Sequence, residues 1–336
     1  MGPPPGTARL EALVAQAFGD RDLIGKTFAV VCVHGGRIVA ERYGGAIERF
    51  DGPPLIVDRT TPLLSWSVAK SVLHAAIGIL VADGLVDADA PAEVPGWQGP
   101  DDPRRLITVA QMLQMRDGLA FVEDYVDGTS DVIEMLFGRG KDDVAAFAAD
   151  RPLAFTPGEH FSYSSGTTNI LSGIVARATA ASGGYARFLA ERLFTPLGMV
   201  SAQPGFDEAG TWIASSFLHA TARDFARFGY LYLRDGVWNG ERLLPAGWVD
   251  RARREISVEE ETGDSYGEHW WPLCDGEGSF RAAGYEGQMI VVCPERDLVV
   301  VRLGKTPEER TPDLTRWRED VVSCFAVRED GPGPLA

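Results

Sequence analysis

The sequence predicts an α/β (α+β) fold in which one antiparallel sheet, built from both chain ends, is flanked by helices and carries an inserted, mostly helical lobe. Two observations predict the sheet: one pair of β-rich runs joined by turn residues lies near the start of the chain, and a second such pair lies near its end. A third observation, the helical periodicity between those pairs, predicts the inserted lobe. We expect one unit over residues 8–328, with an α/β lobe at about 8–66 and 216–328 and a helical lobe at about 67–215.

A helix over residues 8–18 begins the predicted order of elements. The run TFAVVCVHGGRIVAERYGG then predicts a hairpin that turns at Gly35 and Gly36. Helical periodicity follows in the segments 68–83, 107–115, 141–149, 166–180, 184–194 and 221–234. GQMIVVC and LVVVRLG flank the turn at 294–297 and predict a second hairpin, and residues 313–327 predict a last helix. The tail at 329–336, which ends in GPGPLA, is predicted to be disordered.

Charge excludes two classes of partner. The formal net charge of −16 disfavours binding to phosphate backbones or to anionic lipid, since both require clusters of cationic residues. Neither nucleic acid nor a membrane is therefore an expected partner. The start of the chain lacks a basic region followed by an unbroken apolar run, which predicts a cytoplasmic protein unless an export signal has been removed. We expect a monomer or a homodimer.

Cysteine and histidine spacing gives no sign of a metal site. The four cysteines stand far apart without CxxC spacing and are interpreted as core thiols; they are Cys32, Cys274, Cys293 and Cys324. The five histidines are scattered without i, i+4 pairing, so no helix-borne metal site and no Ser-His pair can be proposed. We expect neither a metal nor another cofactor.

The stretch SWSVAKS at 65–71 carries the first chemical signal. Lys70, one of four lysines, stands three residues after Ser67 at the start of the apolar run AKSVLHAAIGILVADGL. Positions i and i+3 share a helix face, and a lysine whose ammonium form is penalised by desolvation could accept the proton of the Ser67 hydroxyl. The positive end of the helix dipole would favour the resulting alkoxide. A pair with this spacing arises by chance roughly one time in five, and a solvated lysine at a helix end is the alternative.

A second motif, PGEHFSYSSGTTNILSGIVARA, follows about a hundred residues later. Ser164 or Ser165 could cap the helix predicted over 166–180. Tyr163 is interpreted either as a packed core aromatic or as a phenol close to Lys70 and Ser67. In the second interpretation the phenol, as phenolate or as a relay, shares the proton abstraction and then protonates the leaving group.

Together these motifs resemble the serine β-lactamase and penicillin-binding-protein superfamily. The resemblance lies in Ser67-x-x-Lys70, in Tyr163-Ser164-Ser165 within PGxxFxYSSG, and in the β-rich GYEGQ near the end. It covers about residues 20–325 and is strongest with the class C-like branch, which includes family VIII carboxylesterases and 6-aminohexanoate-dimer hydrolases. The resemblance implies a β-lactamase/transpeptidase-like fold, with Ser67 as the acylated nucleophile, Lys70 as its base and Tyr163 as the proton shuttle. Ser165 would hydrogen-bond Lys70 or the substrate.

The third family motif, a Lys/His-Ser/Thr-Gly strand, departs from the pattern here. If the triplet is AAG at 282–284, Gly284 lines the substrate site and the backbone N–H groups of Ser67 and Tyr285 form the oxyanion hole. If it is YEG at 285–287, the second donor is Gln288. The first register is preferred because it leaves a short, regular strand that runs into QMIVVC.

Neither register supplies the basic residue with which β-lactamases and DD-peptidases help to hold the substrate carboxylate. The resemblance therefore favours a neutral ester or amide. It predicts a serine hydrolase that acts through an acyl-enzyme on a small-molecule ester or amide. The alternatives are β-lactamase or DD-peptidase activity, an acyltransferase, and a non-catalytic member of the family that binds a ligand.

Overall fold

The computed structural model describes residues 7–19, 23–49 and 52–328, so the tail predicted at 329–336 lies outside the described residues. Six strands form a central sheet within these ranges: β1 (Lys26–His34), β2 (Arg37–Tyr43), β3 (Trp271–Pro272), β4 (Phe280–Gly284), β5 (Gln288–Cys293) and β6 (Leu298–Lys305). Their order is β3-β4-β5-β6-β1-β2, and every neighbouring pair is antiparallel. Both predicted hairpins and the predicted fold class are confirmed, and the pairing of β6 with β1 joins the two chain ends.

Helices occupy much of the chain between β2 and β3. The described helices are α1 (Thr7–Gln16), α2 (Val68–Ala82), α3 (Val109–Leu113), α4 (Asp131–Leu136), α5 (Val144–Ala149), α6 (Ser165–Thr179), α7 (Tyr185–Leu189), α8 (Thr195–Leu197), α9 (Ala222–Leu233), α10 (Trp248–Arg253) and α11 (Thr311–Ser323). A π-helical turn, Ala190–Phe194, joins α7 to α8. Each predicted helix is present with ends shifted by a few residues, and α4, α8 and α10 are short helices that the sequence did not predict. None of the described helices is both long enough and apolar enough to cross a membrane.

The remaining regular structure is short. Two-stranded and three-stranded ladders are formed by Ala46–Ile47, Leu55–Ile56, Leu63–Leu64, Gln203–Pro204, Leu218–Ala220, Val237–Trp238, Glu241–Arg242, Ser257–Val258 and Ser265–Tyr266. Single 3₁₀ turns lie at Pro103–Leu106, Ala180–Ser182, Tyr285–Gly287, Pro294–Arg296 and Glu308–Arg310.

Both faces of the central sheet are covered, which explains why its strands are apolar almost throughout. On one face Val30 and Cys32 pack in a core shared with α1 and α11. On the other face Ala29 and Val31 belong to the larger core that contains α2 and α9. Successive side chains of a strand point to opposite faces, so a sheet buried on both sides requires apolar residues at consecutive positions.

Helix α2 is the element that brings the sheet and the helical segments together. It contacts both β4 and α6, and every residue from Val68 to Leu80 is buried. Gly78 allows a close approach, because a Cβ at this position would lie 2.5 Å from the indole nitrogen of Trp248. The start of α2 lies beside the end of β4, where a Cβ on Gly284 would stand 3.2 Å from the Ser67 nitrogen.

The interpretation of all four cysteines as core thiols is wrong for two of them. Cys32 and Cys293 lie on buried strands, but Cys274 is exposed and Cys324 is partly exposed. Cys274 follows β3 in a turn and contacts Ser265 and Glu255 instead of the core. Apolar neighbours in the sequence do not reveal that Cys274 is exposed, because its burial depends on where β3 ends.

Candidate active site

The start of α2 brings Ser67 and Lys70 into contact. Ser67 holds the N-cap position with helical dihedral angles, φ −62° and ψ −9°. The Lys70 Nζ lies 3.0 Å from the Ser67 Oγ, as expected for residues three apart on one helix face. Lys70 is only 2% exposed, so the alternative of a solvated lysine at a helix end does not describe this residue.

Three oxygen atoms surround the Lys70 amine. In addition to Ser67, its Nζ contacts the Ser165 Oγ at 3.1 Å and the Ser215 carbonyl oxygen at 3.0 Å. Burial lowers the pKa of Lys70 from 10.5 to about 8, and the nearby Glu123 carboxylate opposes this shift. A sizeable fraction of neutral amine is therefore present at mildly alkaline pH.

Tyr163 completes the cluster of polar groups. The Lys70 Nζ lies 4.9 Å from the centroid of the Tyr163 ring, and the Ser67 side chain is close enough to the phenol to influence its pKa. Burial raises the pKa of Tyr163 well above its usual value, with a smaller opposing effect from the Ser67 side chain. The rings of Tyr266 and Trp271 pack against it, with centroids 6.1 and 5.6 Å away. The group at this position is therefore a neutral phenol.

The two serines after Tyr163 have different partners. Ser164 is the N-cap of α6, and its Oγ accepts a hydrogen bond from the Thr167 N–H at 3.0 Å. Ser165 is the first residue of α6, and its hydroxyl faces Lys70. Of the two candidate caps, only Ser164 caps the helix, and Ser165 is left to contact the lysine.

Gly284, the last residue of β4, lies directly beside the nucleophile candidate. A Cβ on Gly284 would be 3.2 Å from the Ser67 backbone nitrogen and 2.5 Å from the Ser65 carbonyl oxygen. Tyr285 follows at the entrance to a 3₁₀ turn, and its side chain is 54% exposed. The register with AAG as the triplet therefore brings a strand end to Ser67.

The register with YEG at 285–287 as the triplet places its glycine away from Ser67. A Cβ on Gly287 would meet the side chains of Leu314 and Arg302, which lie on the α11 side of the sheet. The buried Arg302 donates to the carbonyl oxygens of Glu286 and Gly287 at 3.1 Å each and so anchors this turn. Gly287 is thus held away from the side of the sheet that faces α2.

Comparison with known proteins agrees with this arrangement. The family model described as Beta-lactamase matches residues 10–323. The chain belongs to the beta-lactamase family. It is 28% identical over 312 residues to the 6-aminohexanoate-dimer hydrolase of Paenarthrobacter ureafaciens, a match that covers 87% of this chain and 75% of that protein.

Two solved structures share the fold of this beta-lactamase-family chain. A candidate 6-aminohexanoate-dimer hydrolase from Bacillus anthracis superposes with a TM-score of 0.74 at 24% identity, covering 93% of this chain and 81% of that one. A family VIII carboxylesterase superposes with a TM-score of 0.73 at 17% identity, covering 95% and 98%. The resemblance predicted from the motifs is confirmed.

In this beta-lactamase-family chain, Glu123 is a site residue that the sequence did not indicate. Its carboxylate accepts hydrogen bonds from the Ser165 N–H at 2.7 Å and from the Ser165 hydroxyl at 2.5 Å. The Tyr125 hydroxyl donates to the same carboxylate at 3.2 Å. Glu123 lies in a segment without regular structure, and no spacing rule connects it to Ser165, 42 residues later.

Ser215 is a second residue that the motifs missed. It contributes a backbone carbonyl to Lys70, so its side-chain type carries no signal. Asn169 of α6 holds this segment, because its Oδ1 accepts from the Ser215 N–H at 3.2 Å and its amide donates to the Ser215 Oγ at 3.1 Å.

Aromatic rings form one wall of the site. The Tyr285 ring stacks on Tyr125 with centroids 5.7 Å apart and meets Trp66 edge-on at 5.8 Å. Trp66 has φ 46°, in the left-handed region that bulky residues rarely occupy. The backbone immediately before Ser67 is therefore strained, a feature that clusters at functional sites.

A crevice of about 580 Å³ adjoins Tyr163 and is rich in carboxylates. Arg116 lines it opposite five acidic side chains, which are Glu123, Glu159, Glu259, Glu260 and Glu261. A crevice lined in this way has a negative potential. Across the described ranges, no group of three or more His, Cys, Asp or Glu side chains could hold a metal ion.

The histidine nearest to the cluster is held neutral. The His269 ring contacts the Leu113 carbonyl oxygen through Nδ1 at 2.9 Å and the Thr168 hydroxyl through Nε2 at 3.1 Å. Burial lowers the pKa of His269 to about 3, and the charge on Lys70 adds to this effect. The hydrogen bonds to Leu113 and Thr168 occupy both ring nitrogens.

Proposed function

We propose that this chain is a serine hydrolase that forms an acyl-enzyme at Ser67 with a small neutral ester or amide. The observation that carries the proposal is the buried contact of 3.0 Å between the Lys70 amine and the Ser67 hydroxyl, beside the Tyr163 ring, whose centroid lies 4.9 Å from the same amine. A water-poor setting that depresses a lysine pKa beside a hydroxyl is the usual way to activate a serine without histidine.

In the proposed reaction the Ser67 Oγ attacks the substrate carbonyl and forms a new C–O bond while its proton passes to neutral Lys70. The backbone N–H groups of Ser67 and Tyr285 hold the oxyanion. Collapse of the intermediate breaks the bond to the leaving alcohol or amine, which receives the proton through Tyr163 acting as a neutral relay. Water then attacks the acyl carbon and gives a proton to Lys70. Collapse of this second intermediate breaks the bond between the acyl carbon and the Ser67 Oγ, which takes the proton back from Lys70, and the acid is released.

Two features support a neutral substrate over an antibiotic. Neither position considered for the third motif carries a cation, and the one arginine of β4, Arg281, is paired with Asp264 at 2.6 Å. The adjoining crevice is lined by carboxylates, which disfavour a substrate that carries a carboxylate of its own. Similarity to a 6-aminohexanoate-dimer hydrolase and to a family VIII carboxylesterase supports testing both linear amides and esters.

The test is a panel of p-nitrophenyl esters of short acyl chains, linear amides and a chromogenic cephalosporin. Wild type and Ser67→Ala are compared, with Ser323→Ala on the exposed side of α11 as the matched control. We expect turnover of the esters by wild type and Ser323→Ala, little cephalosporin cleavage, and none of this activity in Ser67→Ala. A fluorophosphonate should add its mass to Ser67 in wild type.

Any other result of this panel would favour a different assignment. Ester turnover that survives Ser67→Ala would remove the nucleophile assignment, and rapid cephalosporin cleavage would favour a β-lactamase. Faster capture of the acyl group by an added amine or alcohol than by water would favour an acyltransferase. The absence of both labelling and turnover would favour a non-catalytic member that binds a ligand.

A further inference from the structure

The hydrogen bonds around Lys70 constrain how a neutral amine can act there. A neutral amine has two N–H donors and one lone pair, and the lone pair must face Ser67 in order to accept its proton. Both other neighbours must then accept hydrogen bonds from the amine. The Ser215 carbonyl oxygen can only accept, whereas the Ser165 hydroxyl can either donate or accept. The direction of one hydroxyl therefore decides where the lone pair of Lys70 points.

Glu123 sets that direction. One of its oxygens lies 2.7 Å from the Ser165 nitrogen, and the other lies 2.5 Å from the Ser165 Oγ. An ionised carboxylate only accepts, so the Ser165 hydroxyl must donate its proton to Glu123. Ser165 then presents lone pairs to Lys70. Both carboxylate oxygens are bound to Ser165, one to its N–H and the other to its hydroxyl, so the carboxylate has little freedom to turn away.

We infer that Glu123 is a positioning residue, which holds the Ser165 hydroxyl as a donor to itself and thereby keeps the Lys70 lone pair directed at Ser67. This inference rests on the proposed function and deepens it. Glu123 touches neither Ser67 nor the reacting carbonyl in the proposed reaction, and it directs the Lys70 lone pair through Ser165.

The charge of Glu123 has a second, separable effect on Lys70. Burial raises the pKa of Tyr163, Tyr125 and Tyr266 and lowers that of His269, so these groups around the amine are uncharged near neutral pH. The Glu123 carboxylate raises the pKa of Lys70 against the larger effect of burial. Removing this charge should lower the Lys70 pKa and move the acid limb of the activity profile to lower pH.

The decisive variant is Glu123→Gln. Each Glu123 oxygen takes one of the two bonds from Ser165; in glutamine the oxygen must face the Ser165 N–H, which can only donate, so the NH₂ faces the Ser165 Oγ and donates to it. The Ser165 hydroxyl is then free to aim its proton at the Lys70 lone pair. We expect kcat for a p-nitrophenyl ester to fall about 10- to 100-fold, less than the roughly 10²- to 10⁴-fold of a full general-base contribution because the amine is misdirected but still present, with KM little changed. The acid limb of kcat should shift down by about one pH unit.

Two further variants separate geometry from charge. Ser165→Ala removes the hydroxyl but keeps the carboxylate, so kcat should fall while the acid limb stays in place or moves to higher pH. Glu123→Asp keeps the charge and one or both contacts with Ser165. Its kcat should therefore be higher than that of Glu123→Gln, and its acid limb should lie near that of wild type. Glu319→Gln on α11, which removes an exposed carboxylate on the far side of the sheet, is the control and should change neither quantity.

The outcomes distinguish this inference from the proposed function. If Ser67 is acylated in wild type but Glu123→Gln leaves both kcat and the acid limb unchanged, the role of Glu123 is overturned and the hydrolase proposal stands. If wild type is not acylated at Ser67, the hydrolase proposal itself fails. Melting temperatures are measured for every variant. If Glu123→Gln does not fold, an unchanged kcat in Ser165→Ala would overturn the inference.

Discussion

Gly284 packs against the backbone of Ser67 so closely that a Cβ on the glycine would stand 3.2 Å from the Ser67 nitrogen. The same Cβ would lie 2.5 Å from the carbonyl oxygen of Ser65. Both neighbours belong to the main chain around Trp66, which is already strained, and main-chain atoms cannot swing aside as the end of a side chain can. This approach joins the end of β4 to the start of α2, the two elements that carry the proposed oxyanion donors.

Gly284→Ala should therefore impair catalysis far more than folding. The new methyl group must push the end of β4 away from α2, which separates the N–H groups of Ser67 and Tyr285. We expect kcat/KM for a p-nitrophenyl ester to fall about 100-fold, the typical cost of losing one oxyanion donor. Ala283→Ser, whose position lines a groove on the α11 side of the strand, is the control and should retain activity. Full activity in Gly284→Ala would argue against an oxyanion hole at this strand end.

The pH dependence of kcat/KM should report the Lys70 amine. Burial places its pKa at about 8, and the base must be deprotonated to act, so activity should rise through about pH 8 and level off above it. Lys70→Arg should lower kcat/KM by about a thousandfold at every pH up to 10, because a guanidinium stays protonated over this range. Stopped assays on one ester between pH 5 and 10 measure both effects. A profile that is flat from pH 6 to 9 would contradict the assignment of Lys70 as the base.

The sequence predicts those parts of the site that depend on local geometry. Ser67 and Lys70 are one helical turn apart, and the apolar run after them predicts the burial of α2, so their contact follows from spacing alone. The two hairpins are local as well, and their β-rich runs joined by turn residues predict that both chain ends contribute to the sheet. Ser164 and Ser165 could not be told apart, because the choice between cap and site depends on the exact start of α6.

The parts that could not be predicted depend on loops and on backbone atoms. Glu123 reaches Ser165 from a segment without regular structure, and the path of such a segment is set by tertiary packing. The Ser215 carbonyl has no side-chain signature at all. The left-handed φ of Trp66 likewise has no signature in the sequence, because a bulky residue rarely adopts it.

Asp117 should make a pH-dependent contribution to stability that Asp117→Asn removes. Burial raises its pKa to about 6, although the Thr167 hydroxyl and the Leu119 N–H both donate to the carboxylate. Since the native carboxyl binds its proton more tightly than the unfolded one, its contribution to the free energy of unfolding falls as the pH rises from about 4 to 6. At pH 7 the loss approaches about 3 kcal/mol.

In Asp117→Asn the amide oxygen can still accept from Leu119, and the Thr167 hydroxyl can rotate to accept from the new NH₂. Its stability relative to wild type should therefore improve by about 2–3 kcal/mol between pH 4 and pH 7. Urea unfolding of both proteins at the two pH values measures this difference. Stability curves that run parallel from pH 4 to 7 would show that Asp117 titrates normally.

The acidic crevice should discriminate between substrates by charge. Two p-nitrophenyl esters of equal length, one with a neutral acyl end and one that ends in a carboxylate, differ only in the repulsion they meet from Glu123, Glu159 and residues 259–261. We expect kcat/KM to favour the neutral ester by about tenfold at an ionic strength of 0.01 M, and the preference to shrink towards 0.5 M as the Debye length falls below the width of the crevice.

Changing Glu259, Glu260 and Glu261 together to Gln should reduce the preference at low salt. The same change at Glu308, Glu309 and Glu319, which lie at or near α11, is the charge-matched control and should leave it unaltered. Equal turnover of the two esters at low salt would mean that the carboxylates do not face the bound substrate, because a negative potential at the reacting carbonyl cannot be indifferent to an added negative charge.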